Sequence, residues 1–545
     1  MDKEQQYLQT IADLEMKLSG RDTRIAELEA KVAEQGEVIS KRDARIAELE
    51  VAVASLERAV KKLQRRSFGH SSEKMPEPDN MPMLPFEEFK DDTEVQVGNG
   101  DAVAPADVVT TVEKESAERR ERERAKKNEN QRKRRGTIRV PKDMERRVTT
   151  IYPKNYNAET MIVIGQDVTE TLEIDTTYYV KRVVRVKCVS KEDKKNTTTG
   201  LIYQSPVEPR IAERSFLGDS IIVDILTNKF CHHTPEYRQA KIFKEHGLDI
   251  PTSTINRQVH NAIGLLSPIY FAQMKEVVMS DYVHMDESTV RVNDRKGKTR
   301  TGYIWSMVDG RPGSSGMYFY YRDGSRGREV MNLMLQGFKG AVQTDGYKVY
   351  DALDGKPNFR QLNCMAHARR KFEAIKDDYP DDVPKILKSF AYLYQIEANL
   401  KERGASVEEI KKEREEKSIP ILQCMKRWMD QKYRETTPKS GLGEALAYSL
   451  VRWDKLCAYT TDGRYNIDNN PVERSMRPIA LGRKNWLFIN SDESGEDFAI
   501  IATLIRTCEM LGINPREWLT HTFSKIVGKK DYDAVALLPC NYVKE

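Results

Sequence analysis

The 545-residue chain has no apolar run approaching the roughly 20 residues that cross a bilayer, and its first residues, Met1-Asp2-Lys3-Glu4-Gln5-Gln6, are too polar for a signal peptide. The expectation is a cytoplasmic protein with no membrane partner. Cysteine is sparse: the seven, at 188, 231, 364, 424, 457, 508 and 540, form no Cys-x-x-Cys pair. That excludes a Cys-rich zinc module and predicts reduced thiols. A one-sided charge is also missing, since 89 Lys+Arg against 84 Asp+Glu leave only +5. Nucleic-acid binding would have to come from local clusters of basic residues. The length implies several domains.

A heptad pattern is present. Positions 7, 11, 14, 18, 21, 25, 28, 32, 35, 39, 42, 46, 49, 53, 56, 60 and 63 keep the alternating four-three spacing, and fourteen of these seventeen are apolar. Arg21-Asp22-Thr23-Arg24-Ile25-Ala26-Glu27-Leu28-Glu29 recurs almost unchanged from Arg42 to Glu50, an offset of 21 residues that preserves the seam. Arg21, Gln35 and Arg42 interrupt it, as register-setting polar residues do. Residues 1–66 are therefore predicted to be a coiled coil through which the chain self-associates, the alternative being one long amphipathic helix.

Residues 67–136 are predicted to be a flexible linker with a basic arm. Prolines and glycines among acidic residues come first, followed by Arg119-Arg120-Glu121-Arg122-Glu123-Arg124-Ala125-Lys126-Lys127 and Arg132-Lys133-Arg134-Arg135. The second cluster suits phosphate contact; the first, interleaved with glutamate, reads equally as a solvated helix. Residues 137–210 alternate like short strands, for instance at 171–174 and 178–186, and predict a small β-rich module. Residues 211–270 read as helices. Thr234 is the expected N-cap and Pro235 the first helical residue, Gly247 ends that helix, and Pro251 opens the next. The shape fits a helix-turn-helix on DNA, or an ordinary helical packing unit.

From 277 to 344 the pattern changes to strands at 281–292, 303–308 and 317–321, separated by turn-rich segments, then a helix at 328–338 and a strand at 341–344. This is the opening of an RNase H-like α/β fold. Asp286 lies mid-strand, on one face with His284 and Ser288, and Asp345 closes the fourth strand before Gly346. If the first and fourth strands are parallel neighbours, the two carboxylates converge. Two oxygen donors with little cage around them suit Mg²⁺. Glu473 follows in Asp468-Asn469-Asn470-Pro471-Val472-Glu473-Arg474. With Asn470 as N-cap it stands where a capping box places glutamate, so local stabilisation is its plain reading.

These segments resemble one family. Val283-His284-Met285-Asp286-Glu287-Ser288-Thr289, Thr344-Asp345-Gly346-Tyr347, Cys364-Met365-Ala366-His367-Ala368-Arg369-Arg370-Lys371-Phe372 and the block from Asp468 to Arg474 look like motifs of the IS66-family transposases. So do Arg477-Pro478, Gly482-Arg483-Lys484-Asn485-Trp486-Leu487-Phe488, Phe68-Gly69-His70-Ser71-Ser72-Glu73-Lys74 and the ending Leu537-Leu538-Pro539-Cys540-Asn541. The resemblance implies a DDE transposase of a bacterial insertion sequence, with Asp286, Asp345 and Glu473 as catalytic and metal-binding acids holding two Mg²⁺ or Mn²⁺ ions. It implies DNA partners, namely terminal inverted repeats and target DNA, with small accessory proteins of the same element, in the nucleoid-associated bacterial cytoplasm. Arg132, Lys133, Arg134, Arg135, Arg369, Arg370, Arg474, Arg477, Arg483 and Lys484 are the candidate DNA contacts.

The catalytic domain would run over 271–495 with a helical insertion at 373–460, followed by a C-terminal helical element at 496–545. Family members often carry paired cysteines in a zinc-ribbon-like module. Here the matching stretch has only Cys188, and neither Cys231-His232-His233 nor Cys364 with His367 has a second pair nearby, so no structural zinc is expected. Two other readings stay open: a catalytically inactive end-bridging DNA-binding protein derived from a transposase, and a plain RNase H-type nuclease.

Overall fold

The computed structural model describes residues 2–68, 84, 105–133, 178–185, 187–188, 203–204, 206–213, 215–293, 298–314 and 316–544. They divide into two compact units. The first contains Met1–Val109, Met365–Ala398 and Lys412–Trp453; the second contains Thr110–Cys364, Asn399–Lys411 and Asp454–Glu545. No helix among the described residues is long and apolar enough to cross a membrane.

The heptad segment forms one helix, α1 (Asp2–Phe68), about 100 Å long at 1.5 Å per residue. Its seam stays open: Ile11, Leu14, Leu18, Ile25, Leu28, Val32, Ile39, Ile46, Leu49 and Val53 are all exposed. The expected linker differs from the structure, because α2 (Pro105–Lys133) occupies its second half. Val108, Val109, Val112 and Ser116 are buried at helical spacing, and Arg119 pairs with Glu123 one turn on at 3.3 Å, so the interleaved charges serve a helix. Of the β-rich module, β1 (Lys187–Cys188) and β2 (Tyr203–Gln204) pair antiparallel. Residues 178–185, expected as a strand, form none; 171–174 lie outside the described residues.

In the first unit, α7 (Met365–Glu373), α10 (Ile419–Glu435), α11 (Gly441–Val451) and most of α8 (Val383–Arg403) are amphipathic helices, as the helical reading of the insertion anticipated. Phe372 and Phe390 pack 5.9 Å apart, and Arg414 makes a nearly buried pair with Glu397 at 2.7 Å. Two short helices, α9 (Val407–Glu413) and α12 (Trp453–Cys457), also lie within the insertion by sequence.

The second unit is built on a five-stranded sheet in the order β5-β4-β3-β6-β7. Its strands are β3 (Tyr282–Asn293), β4 (Thr299–Asp309), β5 (Met317–Tyr320), β6 (Gly340–Thr344) and β7 (Phe359–Asn363). The first three are antiparallel neighbours; β6 runs parallel to β3, and β7 parallel to β6. Period-2 alternation along β3 sends Val283 and Met285 to one core, shared with α5 (Thr252–Val278) and α6 (Arg328–Met334). Val290 and Val292 face the other core, made with α13 (Asn470–Trp486) and α14 (Asp492–Met510). The β5 edge is covered: the Phe319 N–H donates to Thr503 at 2.8 Å, and its carbonyl accepts from Tyr270 at 2.8 Å.

The helices α3 (Asp219–Phe230), α4 (Glu236–Glu245) and α5 share one core with α14 and α15 (Pro515–Ile526), including Ile222, Leu226, Ile263, Leu504, Trp518 and Phe523. Residues 211–270 and 496–545 thus fold together rather than as separate elements. Helix α4 starts one residue later than expected, with Pro235 as N-cap and no side-chain cap, because His233 turns at φ 56° just before it. Gly247 ends the helix as expected, at φ 78°.

Candidate active site

The register of β3 and β6 pairs Tyr282 with Ala341, Val283 with Val342 and His284 with Gln343. Two residues past that last pair, Asp286 stands within β3 and Asp345 just beyond the end of β6. Asp345 is held by its own turn: its Oδ1 accepts the Tyr347 N–H at 2.8 Å, and Gly346 sits at φ 87°, a conformation that glycine adopts readily. The Oδ1 of Asp286 accepts the Glu287 N–H at 2.8 Å.

Glu473 reaches the same place from α13. Here the structure corrects the expected cap: the helix begins at Asn470 with Asn469 as N-cap residue, and Asn469 makes no side-chain cap bond. Pro471 is then the second helical residue and Glu473 the fourth, one beyond the capping-box position. Asp468 does the local bonding, accepting from Asn470 N at 3.1 Å and Nδ2 at 2.6 Å. The Asn469 side chain turns inward instead. Its Oδ1 lies 2.9 Å from His284 Nδ1, its Nδ2 donates to the Met285 carbonyl at 2.9 Å, and its backbone N–H donates to Cys364 Sγ at 3.1 Å. Three residues earlier, Asn466 Nδ2 lies 3.0 Å from His284 Nε2, and its N–H donates to the Tyr282 hydroxyl at 2.8 Å. The segment entering α13 is therefore tied to β3 on both sides of one imidazole.

Those partners assign the tautomer: Nδ1 carries the hydrogen and Nε2 accepts. Burial pushes the His284 pKa down to about 4, so the ring is neutral. Asp286 is shifted the other way. Burial, then the charges of Glu287, Asp345 and Glu473, hold its pKa well above the usual carboxylate range. Asp345 and Glu473 thus both act electrostatically on Asp286. All three carboxylates are half-buried, and hard oxygen donors of this kind are ones that Mg²⁺ or Mn²⁺ takes.

A fourth carboxylate was missed in the sequence. Glu287 points to the opposite face of β3, its side chain 1 % exposed and paired with Arg326 at 2.6 Å, while the Tyr350 hydroxyl donates to it at 3.0 Å. Arg326 stacks 3.7 Å over the Tyr347 ring, beside the Asp345 turn. Alternation along β3 was the available signal, since a carboxylate next to Asp286 must face a core. Asn469 was missed because the sequence reading put the N-cap on its neighbour Asn470 and gave Asn469 no role.

The candidate DNA contacts are scattered. Arg474, Arg477 and Lys484 are exposed on α13. Arg483 is half-buried and donates to the Thr289 carbonyl at 2.5 Å and to Ser288 at 3.3 Å, so part of its guanidinium holds α13 to β3. In the first unit, Arg369 is buried beside Glu373 at 3.4 Å, and Arg370 lies 3.3 Å from His367 Nε2. Arg132 and Lys133 end α2; Arg134 and Arg135 lie outside the described residues.

Two family models match the chain. One, described as "Transposase IS66 family", covers residues 214–497 and so contains the whole sheet and the three carboxylates. The other, described as "Transposase C of IS166 homeodomain", covers residues 55–149. A protein of Sinorhizobium fredii named "Uncharacterized protein y4hP" is 31% identical over 425 residues, covering 73% of this chain and 75% of the relative. A second from the same organism, "Uncharacterized protein y4jD", is 30% identical over 396 residues, covering 70% and 76%.

Proposed function

The chain belongs to the transposase IS66 family, and from that premise we propose that it is a DNA transposase cutting and joining phosphodiesters with Asp286, Asp345 and Glu473. The observation that supports the reading is the environment of Asp286, whose pKa is raised first by burial and then by the charges of Glu287, Asp345 and Glu473. The strand order and directions support an RNase H-like core. The three carboxylates are the residues that would hold Mg²⁺ or Mn²⁺. Such ions, when bound, supply activation of the attacking water or 3′-OH and charge stabilisation of the leaving oxygen.

The chain's own groups set the geometry around that step. Tyr347 N–H and the Gly346 turn orient Asp345. The neutral His284 and Asn469 fix the start of α13, and hence Glu473, against β3. Exposed Arg474, Arg477 and Lys484 offer positive charge to phosphates along the same helix. The open seam of α1 supports self-association, which would bring two ends together.

The test is to incubate the full chain with its element's end DNA, a supercoiled target and Mg²⁺. Joined products support the transposase. Cleavage without joining supports a nuclease. Binding without either, even with the element's other gene products added, supports an end-bridging protein.

A further inference from the structure

The C-terminal end of α13 carries a feature that catalysis by the carboxylates does not use. Leu487, just past the helix, has φ 61° and ψ −46°, left-handed backbone that is a genuine outlier for a bulky residue. The Phe488 N–H closes a tight three-residue turn onto the Trp486 carbonyl at 2.7 Å, the strained hand of the γ-turn. Both sides of the turn are fixed. Leu487 N–H still donates to Arg483 at 3.1 Å, while Ile489 exchanges bonds with β3, donating to Arg291 at 2.8 Å and accepting from Asn293 at 2.8 Å.

The turn sorts its side chains. Trp486 goes inward against Phe498 at 5.6 Å, in space left by Gly482, where a Cβ would stand 2.7 Å from the indole nitrogen. Leu487 and Phe488 are thrown outward, 63 % and 41 % exposed. A strained, anchored turn that presents two large apolar side chains to solvent has no role in the core it borders. Its surroundings are cationic and polar: Lys484 is exposed one turn before it on the same helix, and Asn485 is half-buried.

We infer that Leu487 and Phe488 form a wedge that enters duplex DNA between base pairs, with Lys484 holding a flanking phosphate and Arg477 a phosphate nearer the carboxylates. Apolar side chains inserted at a base step beside phosphate-binding cations are a recurring way of kinking or opening a duplex. Glu473 and Leu487 are separated by the length of α13, about 20 Å. The wedge would therefore act on the same duplex about six base-pair steps from the reacting phosphodiester. It positions DNA and is not itself a catalytic residue. This inference rests on the DNA-acting reading above.

The full chain is titrated with a matched duplex and with the same duplex carrying one T·T mismatch, 2-aminopurine standing beside the mismatch. A mismatch lowers the cost of unstacking, so the wild type should bind the mismatched duplex several-fold tighter and raise the 2-aminopurine fluorescence. The pair Leu487→Gly and Phe488→Ala should abolish both the preference and the fluorescence rise while keeping matched-duplex binding. Leu487→Gly alone relieves the backbone strain, so its Tm should hold or rise, which guards against simple misfolding. A wild type that binds both duplexes equally overturns the wedge and leaves the DNA reading intact; a wild type that binds neither removes both. A variant that keeps the preference also overturns the wedge and points to another occupant of this surface, such as a protein partner.

Discussion

Asn469 and His284 lie 185 residues apart in sequence and 2.9 Å apart in the fold. The contact joins the strand that carries Asp286 to the helix that carries Glu473. Removing Asn469 leaves the His284 N–H and the Met285 carbonyl buried without a side-chain partner, which costs about 1–3 kcal/mol per unsatisfied group. Asn469→Ala is expected to lower stability by that order in chemical denaturation. It should also weaken the metal dependence of joining, while Asn469→Asp, which keeps an acceptor for His284, restores part of it.

The neutral imidazole makes stability depend on pH. In the unfolded chain His284 takes up a proton below about 6.5; in the fold it does so only near pH 4. Between those values the unfolded state binds more protons, so this residue's contribution is full above about pH 6.5 and is lost as pH falls towards 4, by about 3 kcal/mol. The stability gap between wild type and His284→Gln, measured by urea denaturation, should therefore narrow as pH falls through that window. A constant gap would mean that the ring is already charged or solvated.

Asp286 has the opposite sign. Its folded pKa is raised, so its ionisation opposes folding at neutral pH and the penalty fades as pH falls. Asp286→Asn should raise the Tm of the metal-free chain by about 2–4 °C for each kcal/mol relieved, and abolish the rise in Tm that Mn²⁺ gives the wild type. Thermal scans with EDTA and with Mn²⁺ measure both.

Glu287 depends on Arg326 for its charge. Arg326→Ala should destabilise the sheet by about 1–3 kcal/mol, because it strands a buried carboxylate. Adding Glu287→Gln to that variant should recover much of the loss. A double-mutant cycle by denaturation shows whether the two residues couple.

Much of this was legible in the sequence, and the reasons differ by element. The strands around Asp286 announced themselves by alternation and turn residues, and hairpin logic gave their antiparallel order. The parallel β3–β6 pair, which carries Asp286 and leads into Asp345, followed from the fold that this order opens. The heptads of α1 carried their helix in the spacing alone. Local rules failed where a long-range contact outbid a local one: Asn469 caps nothing because a buried imidazole 185 residues away takes its oxygen. The shared core of α3–α5 with α14–α15 was invisible for the same reason, since no local pattern says that Leu226 and Trp518 will share one core. In α2, charge dominated the reading and hid the short Val108–Val112 stripe that is buried.

The most direct measurement compares wild type with Glu473→Gln in Mg²⁺-dependent joining of the element's ends to target DNA. Glutamine keeps the length of the side chain and removes the ionised oxygens. The variant should fold, bind the ends as tightly as the wild type and join less by about 10³-fold or more, as loss of a group essential to the transition state does. Joining by Glu473→Gln at a rate near that of the wild type would contradict the three-carboxylate site.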